Sequence, residues 1–244
     1  MRETIVWISG ATEGLGLGLA RTVPHAGARI INLSRRQHPD FETVRFDLTR
    51  PETYAAVQES FERELASFSG RRAIFVHNAY YPGRVGFVSE VHAVEYGKGI
   101  QANAAAPLIL AEMFLRAVKP GYESGLVMMS SAAARHPFLG NASYCAAKAG
   151  VEMWVRVVKR ELAARGRETW VVAVRPGFVD TPTTRYAASL SDYDYPIASQ
   201  IANQLATREG VLTPEQAGRD IWSALPPSKG ESLLLFGEMV TKKE

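Results

Sequence analysis

The sequence predicts a doubly wound α/β fold, a sheet of about seven parallel strands with helices on both faces. Three observations predict it. Short β-branched runs alternate with longer helix-period runs from one end to the other, the pattern of repeated βα units. The strand-like runs are almost continuously apolar, as strands covered on both faces must be. The 244 residues, 46% hydrophobic and 22% charged, have ordinary globular composition, and no linker, low-complexity tract or fixed-period repeat divides them. One domain is expected over residues 1–244.

The elements follow in order. Ile5–Ile8 is the first strand, and a glycine-rich turn leads from it into a helix near Leu15–Ala26. Pro24 removes a backbone donor and should end or kink that helix. Strands follow at Arg29–Leu33 and Val44–Asp47. Pro51 suits the first turn of a helix running to Phe68. The fourth strand is Ala73–His77, and a long helix over Val91–Val118 should be kinked by Pro107. Gly125–Ser130 is the fifth strand, Tyr144–Arg165 a helix, and Trp170–Val174 the sixth strand. Pro214 opens a helix to Leu225, and Ser232–Phe236 is the seventh strand. Ser189–Pro196, rich in polar and aromatic residues, reads as a mobile loop and a lid candidate. The tryptophans at 7, 154, 170 and 222 fall on strands or helices and are read as core or interface residues.

Composition excludes several classes of function. Twenty-eight Lys+Arg face 25 Asp+Glu, and no run of five or six like charges occurs, so no nucleic-acid partner is expected. No apolar run reaches the roughly 18 residues of a membrane span, and Met1-Arg2-Glu3-Thr4 does not open a signal peptide, so a cytoplasmic protein without a membrane partner is expected. Cys145 stands alone, and the histidines at 25, 38, 77, 92 and 136 show no ligand spacing with it. Neither a disulfide nor a metal site is expected.

Chemistry is concentrated in two places. Ser9-Gly10-Ala11-Thr12-Glu13-Gly14-Leu15-Gly16 joins a strand to a helix, and the N–H groups at such a helix start, with the positive end of its dipole, suit a pyrophosphate. About 20 residues later, where an acidic side chain would bond the adenosine ribose of NAD, the chain has Asn32-Leu33-Ser34-Arg35-Arg36. Ser34 with the Arg35 and Arg36 guanidinium groups suits a 2′-phosphate, so NADPH/NADP is the expected cofactor. Glu13, an acid beside the turn, argues mildly against that charge.

Tyr144 and Lys148, four apart on a helix, share one face. An ammonium about 4 Å from the phenol would supply about 4 kcal/mol at an effective dielectric near 20, roughly three pKa units, and bring the phenol towards working pH.

With Ser131 lying 13 residues before Tyr144, these features stand in the order and spacing of the short-chain dehydrogenase/reductase family, which the chain resembles. Asp47-Leu48, Asn78-Ala79, Asn103 in Asn103-Ala104-Ala105-Ala106-Pro107, and Pro176-Gly177-Phe178-Val179-Asp180-Thr181 extend the resemblance over residues 9–181. The length suits the family's compact single-domain group.

The resemblance implies that Tyr144 is the proton donor or acceptor, that Lys148 holds the nicotinamide ribose and lowers the tyrosine pKa, and that Ser131 binds the substrate oxygen. It further implies that Asn103 fixes a water linking Lys148 to solvent. Gly10, Gly14 and Gly16 would surround the pyrophosphate, with Thr12 and Leu15 in the same turn. Asp47 and Leu48 would flank the adenine, and Asn78 and Ala79 the cofactor-side backbone. Pro176, Gly177, Val179 and Thr181 would lie on the nicotinamide side, Thr181 at the carboxamide. Ser130 competes with Ser131, but period-2 alternation turns it the other way.

The implied activity is reduction of a small-molecule carbonyl substrate by hydride transfer. Within the family the Ser143–Met153 segment looks like the sepiapterin reductase and benzil reductase branch, which acts on vicinal dicarbonyls and diketones. Glu238 is then a counterpart of a substrate-holding carboxylate. The pocket segments 132–143 and 178–186 carry few fixed charges and suit an uncharged, partly aromatic substrate, although Arg135, His136 and Arg185 offer an acidic group a partner.

His77-Asn78-Ala79-Tyr80 departs from the family's usual Asn-Asn-Ala-Gly, placing a bulky Tyr80 beside the cofactor. A homodimer or homotetramer through the helices bearing Tyr144 and Asn103 is implied. The alternatives are an NAD-dependent alcohol dehydrogenase of the same family, or a regulatory protein that binds NADP(H) without turnover, a class that typically lacks the tyrosine.

Overall fold

The computed structural model describes residues 3–228 and 230–237. In chain order it holds β1 (Thr4–Ser9), α1 (Gly14–Arg21), β2 (Arg29–Ser34) and β3 (Glu42–Arg45). A 3-10 turn at Pro51–Thr53 leads into α2 (Tyr54–Ala66), followed by β4 (Arg72–His77) and α3 (Ala93–Ile100). A π-helical turn, Gln101–Ala105, joins α3 to α4 (Ala106–Ala117). Then come β5 (Glu123–Met129), a 3-10 turn at Ala132–Ala134, α5 (Ala142–Ala164), β6 (Trp170–Arg175), β7 (Phe178–Val179), α6 (Pro182–Ala188) and α7 (Ala198–Thr207). The chain continues through β8 (Val211–Leu212) and α8 (Pro214–Ser223) to β9 (Leu233–Leu235).

Seven strands form one sheet in the order β3-β2-β1-β4-β5-β6-β9, every adjacent pair parallel. Alternation along each strand sorts the side chains to two faces. Ile5, Trp7, Ile31, Leu33, Phe75, Leu126 and Met128 enter the core shared with α2, α4 and α5. Val6, Ile8, Ile74, Val76, Val127, Val172 and Val174 enter the core shared with α1 and α8. Trp7, fully buried, meets Phe61 and Phe114 edge-on at 5.3 and 6.1 Å and donates its indole N–H to Ser60. α1 and α8 are locked together by the Trp222 indole, which donates to the Leu19 carbonyl at 2.9 Å.

Four features differ from the sequence expectation. β3 starts two residues before Val44, where Glu42 pairs with Ile31, and stops short of Asp47, which leaves the ladder as its carboxylate accepts from the Thr49 N–H and hydroxyl. The single helix expected over Val91–Val118 is interrupted by the π turn, with Pro107 in the first turn of the helix that resumes. β7, β8, α6 and α7 were not expected. The segment 189–196 is tied down, since Tyr195 is buried with Phe138, Phe178 and Ile201 and Asp192 accepts from the Ser199 N–H.

Candidate active site

In a doubly wound sheet the crevice lies outside the carboxyl ends of the strands where the order reverses, here between β1 and β4. A cleft of about 550 Å³ opens there. Two short polar residues shape its floor. The Ser9 hydroxyl accepts from the N–H groups of Asn78 and Ala79, both at 2.9 Å, and the Asn32 amide oxygen accepts from the Ala11 N–H at 3.1 Å. Gly10 and Gly14 carry φ of +73° and +54°, conformations that suit glycine. Gly16 has no room for a side chain, since a Cβ there would lie 2.1 Å from the Gly10 carbonyl oxygen.

Glu13 precedes α1 but makes no capping bond with its side chain. The first-turn N–H groups of α1 therefore face the cleft without a side-chain cap, which fits the phosphates of a dinucleotide. Thr12, Gly14 and Leu15 line the cleft, as do Ser34, Arg35, Arg36, Asp47, Leu48, Asn78, Ala79, Pro176, Gly177, Val179 and Thr181. Two of the expected residues are not on its wall. Gly16 sits behind the turn, where it allows close packing, and Asn103 points elsewhere. Arg36 pairs with Glu13 at 2.6 Å, whereas Arg35 is 3.9 Å from Asp47 and largely exposed.

The chain leaves β5 through Ser130 and Ser131, and alternation separates their roles. Ser130 is buried and donates to Glu152 at 2.7 Å. Ser131 caps the following 3-10 turn, its hydroxyl accepting from the Ala133 N–H at 3.2 Å, and stands beside the Tyr144 phenol. Burial pushes the Tyr144 phenol above its ordinary range while the Ser131 hydroxyl pulls it down. Lys148, one turn along α5, is buried and donates to the Met129 carbonyl at 2.8 Å. Its Nζ lies 5.5 Å from the centre of the Tyr144 ring.

Burial lowers the lysine to about 8. The three-unit depression expected of Tyr144 is therefore not found. That expectation set a full ammonium charge about 4 Å from the phenol oxygen, but the ammonium is tethered to a strand carbonyl and is itself desolvated.

Asn103 lies on the π turn. Its amide oxygen accepts from the Tyr81 N–H at 2.9 Å and its amide nitrogen donates to the Tyr81 carbonyl at 2.8 Å, so the side chain clamps the loop that follows β4. Pro107 has no N–H, so the Asn103 carbonyl lacks the donor four residues on that an α-helix supplies.

Sequence reasoning missed the roles of Arg175 and Tyr195, whereas Tyr80 lines the cleft where the sequence places it. Arg175 forms a bidentate pair with Glu152 at 2.7 and 2.8 Å beneath the cleft. The one available signal was an acid within the apolar face formed by Val151, Val155 and Val158. Tyr80 meets Tyr144 edge-on at 4.9 Å, its hydroxyl donating to the Pro82 carbonyl at 3.5 Å, and Tyr195 is buried in the cluster that Tyr144 packs against. Arg185 is engaged by Asp180 at 2.7 Å, while Arg135 and His136 are exposed. Glu238 lies outside the described residues.

No group of three or more His, Cys, Asp and Glu placed to hold a metal occurs among the described residues, and no helix among them is long and apolar enough to cross a membrane.

A family model described as short chain dehydrogenase matches residues 4–190. A benzil reductase ((S)-benzoin forming) of Bacillus cereus is 23% identical over 234 residues, 90% of this chain and 93% of that protein. A 3-oxoacyl-[acyl-carrier-protein] reductase of Salmonella typhimurium is 27% identical over 225 residues, 88% of this chain and 83% of that one. In fold the chain is similar to an actinorhodin polyketide ketoreductase solved with NADPH, with a TM-score of 0.77, 18% identity, and 96% of each chain covered.

Proposed function

Since the chain belongs to the short-chain dehydrogenase family, whose members are oxidoreductases that use a nicotinamide cofactor, we propose that it reduces a small ketone or vicinal dicarbonyl with NADPH. One observation carries the reading: the hydroxyl groups of Ser131 and Tyr144 stand together on the cleft wall, with the Lys148 ammonium beside the tyrosine ring. Two adjacent hydroxyl donors are what a carbonyl oxygen needs as negative charge develops on it.

In this reading the uncapped start of α1 holds the pyrophosphate, Arg35 and Ser34 hold the 2′-phosphate, and Asp47 with Leu48 borders the adenine. The bound cofactor supplies a hydride. Ser131 orients the substrate oxygen and Tyr144 donates a proton to it. Lys148, held by Met129, binds the ribose and passes a proton towards Tyr144, and the Asn103 carbonyl, denied the Pro107 donor, holds the water that links Lys148 to solvent. The benzil reductases among the relatives favour a diketone, and the uncharged, aromatic substrate end of the cleft agrees with them.

The test is NADPH oxidation at 340 nm with benzil and a panel of diketones, in the wild type and in Tyr144→Phe. The expected result is turnover with NADPH in preference to NADH, lowered by about 10²–10⁴-fold in the variant with NADPH affinity within a few-fold. Variant turnover close to wild type overturns the catalytic assignment, and an NADH preference overturns the cofactor assignment.

A further inference from the structure

Tyr80 carries a ring at a point where the loop leaving β4 passes the reacting groups. The ring stands edge-on to Tyr144, with centroids 4.9 Å apart and planes at 66°, so it forms the wall beside the phenol that meets the substrate oxygen. Its hydroxyl reaches back to the Pro82 carbonyl at 3.5 Å, and the buried Tyr195 packs in the same cluster as Tyr144. Asn141 is the residue from which α5 starts, three before Tyr144. Tyr195 arrives from the segment between α6 and α7 and is itself buried. Gly140, at φ +78°, lets that segment pass close by, since a Cβ there would lie 2.3 Å from the Asp194 carbonyl oxygen. Three parts of the chain thus pack together beside the reacting tyrosine.

The rest of this end of the cleft has the same chemistry. Phe138, Tyr186 and Leu190 complete the wall, and the charged lining groups lie elsewhere. Glu13, Arg35, Arg36 and Asp47 are at the other end, Lys148 is tethered to Met129, and Arg175 is neutralised by Glu152. Flat aromatic faces favour a planar apolar group over a flexible chain bearing amides, because the latter would leave polar atoms unpaired.

We propose that Tyr80, set edge-on against Tyr144 on the cleft wall, is the specificity-determining residue of this site, forming the wall that receives the aryl group of an aryl ketone or aryl diketone. This rests on the carbonyl-reduction reading and sharpens it: of the two kinds of reductase among the relatives, the wall suits the aryl diketone and opposes a carrier-linked acyl thioester.

The experiment compares wild type, Tyr80→Phe and Tyr80→Gly on 1-phenyl-1,2-propanedione and on 2,3-butanedione. An edge-to-face contact and the area it buries correspond to about a tenfold effect. The expected result is that the aryl-to-alkyl ratio of kcat/KM falls at least tenfold in Tyr80→Gly, through KM for the aryl substrate. Tyr80→Phe, which keeps the ring and loses only the hydroxyl, should fall between. A ratio unchanged within twofold, or an equal loss of kcat on both substrates, overturns the proposal.

Binding of the aryl diketone to the NADP complex, followed by intrinsic fluorescence, reads the same wall without turnover. It should weaken at least tenfold in Tyr80→Gly, and equal binding overturns the proposal. Absence of turnover in the wild type, by contrast, overturns the reduction reading itself.

Discussion

His77 ends β4 with its side chain buried on the face occupied by Phe75, whose ring it meets edge-on at 6.0 Å. Its Nε2 is a buried side-chain atom without a hydrogen-bond partner. Burial, with the nearby Lys148 charge, lowers its pKa to about 3. On acidification the unfolded histidine takes up its proton near 6.5 while the folded one stays neutral until about pH 3. The unfolded state therefore binds more protons throughout that window, and stability present above pH 6.5 is lost as pH falls through it, by at most about 1.4 kcal/mol per unit.

In His77→Phe this contribution is gone, so urea unfolding at pH 7 and pH 5 should show the wild type losing roughly 1–2 kcal/mol more than the variant. Equal losses would show that His77 protonates freely in the fold. The sequence revealed which residues stand together here more readily than what surrounds them. Strand alternation separated Ser130 from Ser131 because it is a local geometric rule. The burial of His77, the tethering of Lys148 to Met129 and the turning of Asn103 onto Tyr81 depend on segments distant in sequence, so neither spacing nor composition contained them.

α5 shows how one element carries most of the site. Tyr144, Lys148 and Glu152 follow at intervals of four, so one helix face presents the phenol, the ammonium and the carboxylate in succession. The last of these is buried and answered by the Arg175 guanidinium from the end of β6. Removing one partner of such a pair leaves a charge without compensation, a loss of about 3–5 kcal/mol, whereas apolar replacement of both is often neutral. Glu152→Gln should accordingly lose about that much in chemical denaturation, and Glu152→Met with Arg175→Met should recover most of it. A double variant no more stable than Glu152→Gln would show that packing rather than charge pairing is decisive there.

The helix itself was legible from its apolar period, as were all seven strands of the main sheet. β7 and β8, at two residues each, are too short to show any period. The π turn escaped because Pro107 announces a break without announcing its form.

At the scale of the molecule, the two cores account for the inner faces of all the sheet-packed helices, and the remaining question is what meets their outer faces. α4 packs against α5, and on these two helices Ile109, Met153 and Val157 are 40%, 55% and 46% exposed. Met153 and Val157 are one turn apart and so form a continuous strip. Large apolar side chains grouped on adjoining helices mark a surface that gains by being covered.

Trp154, between them in sequence, turns inward and packs on the core, which sets the strip on a rigid base. A second copy presenting the same strip about a twofold axis covers it, with Ala146, Ala149 and Gly150 continuing the exposed side of α5 as small residues and the exposed Arg156 and Arg160 flanking it. The expected state is a homodimer or homotetramer, measured by sedimentation equilibrium at micromolar concentration. Met153→Glu combined with Val157→Glu places two carboxylates on each side of that contact and should shift the population to a single chain while the circular dichroism of the fold is retained. A wild type that sediments as one chain, or a double variant that assembles as the wild type does, would place the contact elsewhere or remove it.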